Sequence, residues 1–175
     1  MRLATVADMP RIGTLMRVSG AELFPRFYTE RQAASAAIYL TEPDITLIKD
    51  GTYFVYEAGG EIVACGGWSK RNKLYTGSGS QQDDGRLLDP ATEPARVRAM
   101  FVRADWTRRG LAKAILDACV KAAREEGFRS LSLMATLPGV PLYHAFGFQE
   151  TRQTMVPLPD GVQLEGVEMT YELSQ

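Results

Sequence analysis

A strand-like run, Val97-Arg98-Ala99-Met100-Phe101-Val102, leads into a short basic loop that closes with Thr107-Arg108-Arg109-Gly110-Leu111-Ala112-Lys113, where a long helical pattern begins. These residue types at such a junction suit the holding of an anion. The first N–H groups of a helix have no partner inside it, and together with the helix dipole they attract negative charge. Gly110 and Ala112 are predicted in the first turn, where small residues let another molecule approach the backbone. Arg108 and Arg109 add positive charge. Two or three charge-assisted hydrogen bonds of about 1.5–3 kcal/mol each could hold a pyrophosphate. An ordinary strand–turn–helix with a solvated basic turn accounts for the same residues. The common nucleotide loops fit worse: G-x-x-x-x-G-K-[ST] is absent, and a G-x-G-x-x-G fingerprint needs more than the single glycine found here.

Other chemistries have fewer candidates. His144 is the one histidine, and zinc sites, haem sites and Ser-His-Asp triads need more of them or a better-placed one. No metal is expected. Cys65 and Cys119 stand apart in apolar surroundings, so both are expected as small buried hydrophobes. Lys70-Arg71-Asn72-Lys73 is a basic cluster, expected as a solvated strand end.

The elements that must position the junction follow from periodicity. A strand is predicted over Arg2–Thr5 and a helix over Asp8–Ser19, carrying Met9, Ile12, Leu15 and Met16. Thr29-Glu30-Arg31-Gln32 fits a capping box that opens a helix through Leu40, ended by Pro43. Tyr53–Ala58 and Glu61–Ser69 read as a hairpin across Gly59-Gly60. Residues 70–94 form a polar loop, either over the substrate site or a passive insertion. After the strand Val97–Val102, the residues Leu111, Ala114, Ile115, Ala118, Cys119 and Ala122 make one apolar stripe, with Gly127 as its stop. A strand Ser130–Ala135, a short helix Pro141–Phe146 and strands Gln149–Val156 and Val167–Leu173 complete a β-α-α-β-β-β-α-β-α-β-β order. That order predicts an α/β (α+β) protein, with a mixed sheet and helices on its faces.

Bulk properties agree. One domain over 1–175 is expected for this length, with 45% hydrophobic and 23% charged residues. The net charge of −1 argues against nucleic acid as the main partner. No stretch approaches the roughly 20 apolar residues of a membrane span, and the N-terminus lacks an apolar signal core, so no membrane partner and a cytoplasmic location are expected.

At the junction the sequence resembles the GNAT N-acetyltransferases, which carry [Q/R]-x-x-G-x-[G/A] between their fourth strand and the following helix. Thr107-Arg108-Arg109-Gly110-Leu111-Ala112 matches at the glycine and at the small last residue, with Thr107 in the first position. Leu142-Tyr143-His144-Ala145-Phe146-Gly147-Phe148 is similar to the family's L-Y-x-x-x-G-F segment, and the element order agrees along about the whole chain.

The resemblance implies a mostly antiparallel sheet of six to seven strands, about four helices, and a splay between strands four and five that takes the pantetheine arm of acetyl-CoA. Met100, Phe101 and Val102 would line that arm. The amides of Arg108, Arg109, Gly110, Leu111, Ala112 and Lys113 would hold the pyrophosphate. Acetyl-CoA is implied as co-substrate, the acceptor as a small-molecule or peptide amine, and Tyr143 as the general acid toward the departing sulfur. A phenol of pKa about 10 lies roughly 1.5 units above a thiol, so a hydrogen bond to the developing thiolate is the expected form of help. An alkylamine is neutral at pH 7 in only about one molecule in 2,500, yet strands four and five offer Arg96, Arg98, Ser130 and Ser132 and no carboxylate. Thr136 stands where many relatives carry an asparagine. A base would come from elsewhere, for instance Glu22, or from ordered water. Phe24, Phe27, Tyr28, Trp68 and Tyr75 are candidate acceptor-lining residues, each with packing as the alternative. His144 is expected to be exposed beside the cofactor channel. The last strands leave an edge that could pair with a second copy in a homodimer. A non-catalytic acyl-CoA sensor and a nucleotide-binding domain are the competing functions.

Overall fold

The computed structural model describes residues 1–74 and 85–174. Tyr75 and nearly all of the Thr76–Gly85 stretch therefore lie outside the described residues. Among the described residues seven strands form one sheet in the order β1-β2-β3-β4-β5-β7-β6. They are β1 (Arg2–Leu3), β2 (Tyr53–Ala58), β3 (Glu61–Ser69), β4 (Ala95–Val102), β5 (Ser130–Thr136), β6 (Gln149–Pro157) and β7 (Gln163–Glu172). Every pairing is antiparallel except β4 with β5. The β2–β3 turn is made by Gly59 and Gly60, both at positive φ (59° and 80°), which a tight two-residue hairpin requires.

Five α-helices among the described residues flank the sheet: α1 (Met9–Leu23), α2 (Glu30–Tyr39), α3 (Ile45–Lys49), α4 (Leu111–Glu125) and α5 (Val140–Phe146). The capping box of α2 is present, with the Thr29 hydroxyl accepting the Gln32 N–H at 3.2 Å. α1 runs one turn past the predicted end at Ser19. Gly20 is not a breaker there; a Cβ on it would lie 2.9 Å from the Phe24 ring and 3.0 Å from Thr41 Cγ2, so it lets the helix end pass close to its neighbours. α3, capped by the Asp44 carboxylate, is a helix beyond those predicted. Five residues are too few to show a period. β7 begins four residues earlier than predicted, because Gly166 sits within the ladder where a Cβ would crowd Met134 and the Ala135 carbonyl.

Apolar residues fill both faces. Leu111, Ile115, Leu116, Cys119 and Ala123 of α4 are buried over Val63, Val97, Leu131 and Leu133. Burying one such Leu or Ile side chain stabilises by about 1.5–3 kcal/mol. The opposite face holds Ile12, Leu15 and Met16 of α1 against Tyr53, Val55 and Cys65. A third cluster packs Phe24, Tyr28, Ala33 and Ala36 against the β6–β7 hairpin. No helix among the described residues is long and apolar enough to cross a membrane.

Candidate active site

The site begins where β4 and β5 part. The two strands pair only at Ala95–Leu131 and Arg96–Ser132. Beyond that β4 stays with β3 and β5 with β7, so a wedge opens in the middle of the sheet. A bulge in β4 sharpens the divergence. Between the pairs Cys65–Phe101 and Gly67–Arg98, β3 spends one residue and β4 spends two, Ala99 and Met100. Ala99 takes φ 53°, which costs an L-residue about 1–2 kcal/mol. The Tyr53 hydroxyl holds the turned Ala99 carbonyl at 2.7 Å.

An extra residue rephases the strand. Val97 and Ala95 face α4, but after the bulge Met100 and Val102 do so, while Ala99 and Phe101 pack toward α1. Gly66 is what lets Met100 lie flat, since a Cβ there would sit 2.6 Å from its sulfur.

A cavity of about 710 Å³ fills the wedge. That is enough for a cofactor arm and a small acceptor. At one end lie Met100, Phe101 and Val102, the loop residues Trp106, Thr107 and Arg108, and Gly110, Leu111, Ala112 and Lys113. Gly110 is the N-cap of α4 and not part of its first turn as predicted, and it holds φ 79°. Nothing lies within 4 Å of a Cβ built on it, so the requirement is for conformation and not for space. Arg108 is also left-handed, at φ 60°. The first backbone bond of the helix runs from the Ala114 N–H to the Gly110 carbonyl at 2.9 Å, so the amides before it have no intrahelical acceptor. Arg109 is the one predicted cofactor residue that the structure does not bring to the cavity. Its guanidinium lies over the Trp106 ring, 4.4 Å from the centroid.

Tyr143 lines the middle of the cavity from α5. It packs edge-on to Phe148, with 5.6 Å between ring centres, and its hydroxyl makes no hydrogen bond to a described residue. Burial raises its pKa well above the usual phenol value, so it stays a proton donor. Cys65, whose thiol burial pushes up to about 12, and Cys119, raised further by the same cause, are buried free thiols unsuited to nucleophilic attack.

The other end is walled by Ser19, Gly20, Leu23 and Phe24 of α1 and the turn after it, by Leu40, Leu74, Met134 and Thr136, and by Arg98. Ser19 donates to the Val102 carbonyl at 3.1 Å, tying α1 to the splayed strand. Of the other predicted lining residues, Trp68 is buried in the core, Phe27 is 46% exposed, and Tyr28 braces two chain segments by accepting the Leu137 N–H and donating to the Glu165 carbonyl. Glu22 is exposed and away from the cavity. His144 is exposed and sits 2.8 Å from Glu150. Lys70, Arg71 and Lys73 are paired with Glu126, Asp50 and Asp44. No carboxylate lines the cavity among the described residues, and they hold no cluster suited to a metal. Sequence reasoning missed Arg98 and Ala99 as parts of the site. Arg98 was visible only as one of the strand residues that are not carboxylates.

A splayed mixed sheet with a helix N-terminus at the mouth of the gap defines a class of fold, and solved structures of that class superpose along nearly the whole chain. A GCN5-related N-acetyltransferase from Rhodopseudomonas palustris aligns with TM-score 0.71 at 17% identity, covering 99% of both chains. PaiA N-acetyltransferase from Thermoplasma acidophilum, in complex with coenzyme A, aligns with TM-score 0.67 at 11% identity, over 98% of this chain and 96% of its own. YncA from Salmonella typhimurium, solved with its cofactor acetyl-CoA, aligns with TM-score 0.63 at 18% identity, over 99% and 93%. No curated protein sequence matches. The model of the acetyltransferase (GNAT) family matches residues 19–148, and the chain belongs to that family.

Proposed function

We propose that this chain, acting as one domain over 1–175, transfers the acetyl group of acetyl-CoA directly to an amine. The observation that carries the proposal is the union of the β4–β5 gap with the open amides and left-handed N-cap of α4 in one cavity. The gap exposes one edge of β4 beyond Arg96, whose backbone groups can pair with the amides of a pantetheine arm. Gly110 to Lys113 offer N–H groups, and the Arg108 and Lys113 side chains offer charge, to a pyrophosphate. The residues present therefore fit the cofactor.

The amine nitrogen attacks the thioester carbonyl, the C–N bond forms, and the C–S bond breaks. Tyr143 donates a hydrogen bond to the sulfur as charge develops there. The amine proton leaves to water, since no carboxylate among the described residues lines the cavity. A sensor that binds acyl-CoA without turnover is the reading that this lining would otherwise favour. Isothermal titration with acetyl-CoA, followed by CoA release over a broad amine panel, tests both. Micromolar binding with release supports the enzyme, binding with no release supports the sensor, and no binding rejects both.

A further inference from the structure

The edge that β4 offers to the gap depends on its bulge. The Arg103 N–H donates to the Val63 carbonyl at 2.9 Å, so the backbone groups of Phe101 and Arg103 point to β3. Those of Met100 and Val102 alternate with them and point into the gap. Without the bulge, the pairing after Gly67–Arg98 would run straight on and bring Val102 opposite Val63. A shift of one residue turns every side chain to the other face and every N–H and carbonyl to the other edge. Met100 and Val102 would then spend their backbone groups on β3, and the gap would lose them.

The residue at the bulge does not favour it. Ala99 holds φ 53°, a left-handed conformation that an L-residue avoids. It takes part in no ladder pair, so its carbonyl needs another partner. Tyr53 supplies one, its hydroxyl donating to that carbonyl at 2.7 Å. Tyr53 lies on β2 and pairs with Gly67 of β3, so its side chain must cross β3 to reach β4. Gly67 leaves the way open, because a Cβ there would lie 2.8 Å from the Tyr53 Cα and 2.8 Å from its ring carbon Cδ2. Tyr53 is buried, and burial raises its pKa well above the usual phenol value, so it stays a donor. The Cys65 thiol also borders the hydroxyl. A phenylalanine would fill the same space and lack only the hydroxyl.

Resting on the acetyl-CoA reading of the gap, we propose that Tyr53 is a positioning residue for the co-substrate. From the α1 side of the sheet it locks Ala99 in the left-handed form, and so holds the Met100 and Val102 backbone groups toward the pantetheine arm. It is not among the residues that line the cavity, and it acts only through Ala99. What the hydroxyl sets is the population of the bulged register, and acetyl-CoA affinity falls in proportion to any loss of that population.

The test is a double-variant cycle on the full chain, with acetyl-CoA titrated at a temperature where circular dichroism shows each variant folded. Tyr53→Phe is expected to weaken acetyl-CoA binding by about 3–10-fold, the worth of one neutral hydrogen bond. Adding Ala99→Gly to that variant is expected to bring affinity back to within about twofold of the natural chain, since glycine adopts φ 53° without a tether. Packing alone predicts a lower unfolding temperature with acetyl-CoA affinity unchanged in folded Tyr53→Phe, and that result overturns the proposal. Weakened binding that glycine does not restore also overturns it, because Tyr53 would then act other than through Ala99. If Tyr53→Phe does not fold, the double variant decides: folded and binding acetyl-CoA it supports the proposal, unfolded it overturns it. A natural chain that binds no acetyl-CoA overturns the reading of the gap and this proposal together.

Discussion

The end of the cavity at α4 comes from one stretch, residues 100–113, and includes the open amides at the start of α4. The end at α1 and α2 draws on Ser19 to Phe24, Leu40, Leu74, Arg98 and Met134, which meet only in the folded chain, and presents side chains. A ligand whose chemistry never changes can be met by amides at a helix start, and only a left-handed residue and small neighbours need be specified. An acceptor that differs between family members must be met by side chains that can vary independently. The first end should therefore respond to changes of conformation and charge at few positions, and the second to changes of side-chain chemistry.

The largest expected effect is at Gly110. Gly110→Asp puts a carboxylate where the pyrophosphate is proposed to sit and forces an L-residue into φ 79°. Acetyl-CoA affinity is expected to fall by about a thousandfold, equivalent to two or more lost charge-assisted bonds. Gly110→Ala carries only the conformational cost of about 1–2 kcal/mol, because a Cβ meets nothing within 4 Å. Titration of both variants separates charge from strain. Equal losses would mean that the loop conformation alone sets affinity.

Next comes the boundary between the ends. Tyr143→Phe keeps the ring packed on Phe148 and removes the donor. A fall in kcat of about a hundredfold is expected, with acetyl-CoA affinity changed by less than about threefold. Because burial raises the phenol pKa, ionisation of Tyr143 should not depress kcat on the alkaline side below about pH 10. Unaltered turnover in the variant would make Tyr143 a packing residue and nothing more.

The unequal legibility of the two ends has the same origin. The strand-to-helix junction and the Tyr143 segment are local, so periodicity and a glycine mark them, and the hairpin at Gly59-Gly60 is marked likewise. The Ala99 bulge is a property of pairing between β3 and β4, and no residue type in Arg98-Ala99-Met100 announces it. Arg98 reads as an outward charge under simple alternation, yet folding buries it against Asp44, a residue in a stretch too short to be recognised as a helix cap. Gly20 and Gly166 read as interruptions and turn out to be close approaches within continuing elements. Arg109 carries the right charge for a phosphate, but the Trp106 face takes it instead.

Asp44 tests whether the second end depends on its charge balance. Asp44→Asn leaves Arg98 and Lys73 facing a neutral amide and weakens the α3 cap. A stability loss of about 2–3 kcal/mol is expected in denaturant titration. The sign of the pH dependence follows from the lowered pKa. Asp44 contributes stability above its unfolded value near 3.9, and that contribution is lost as pH falls. The difference between natural chain and variant should therefore narrow in acid. A constant difference would place the whole effect in the helix cap.

The smallest effect is expected where Gly66 of β3 makes room for Met100 of β4. In Gly66→Ala the new Cβ would lie 2.6 Å from the Met100 sulfur, 2.8 Å from its methyl and 3.2 Å from Ile115 Cγ2. The methionine end is flexible and can give way, so the stability cost should be only about 1 kcal/mol. Met100 lines the cavity, so a displaced side chain should weaken acetyl-CoA binding a few-fold and leave the preference among acceptor amines as it was. Altered acceptor preference with acetyl-CoA affinity intact would mean that Met100 belongs to the acceptor end, and that the two ends divide at the bulge itself and not beyond it.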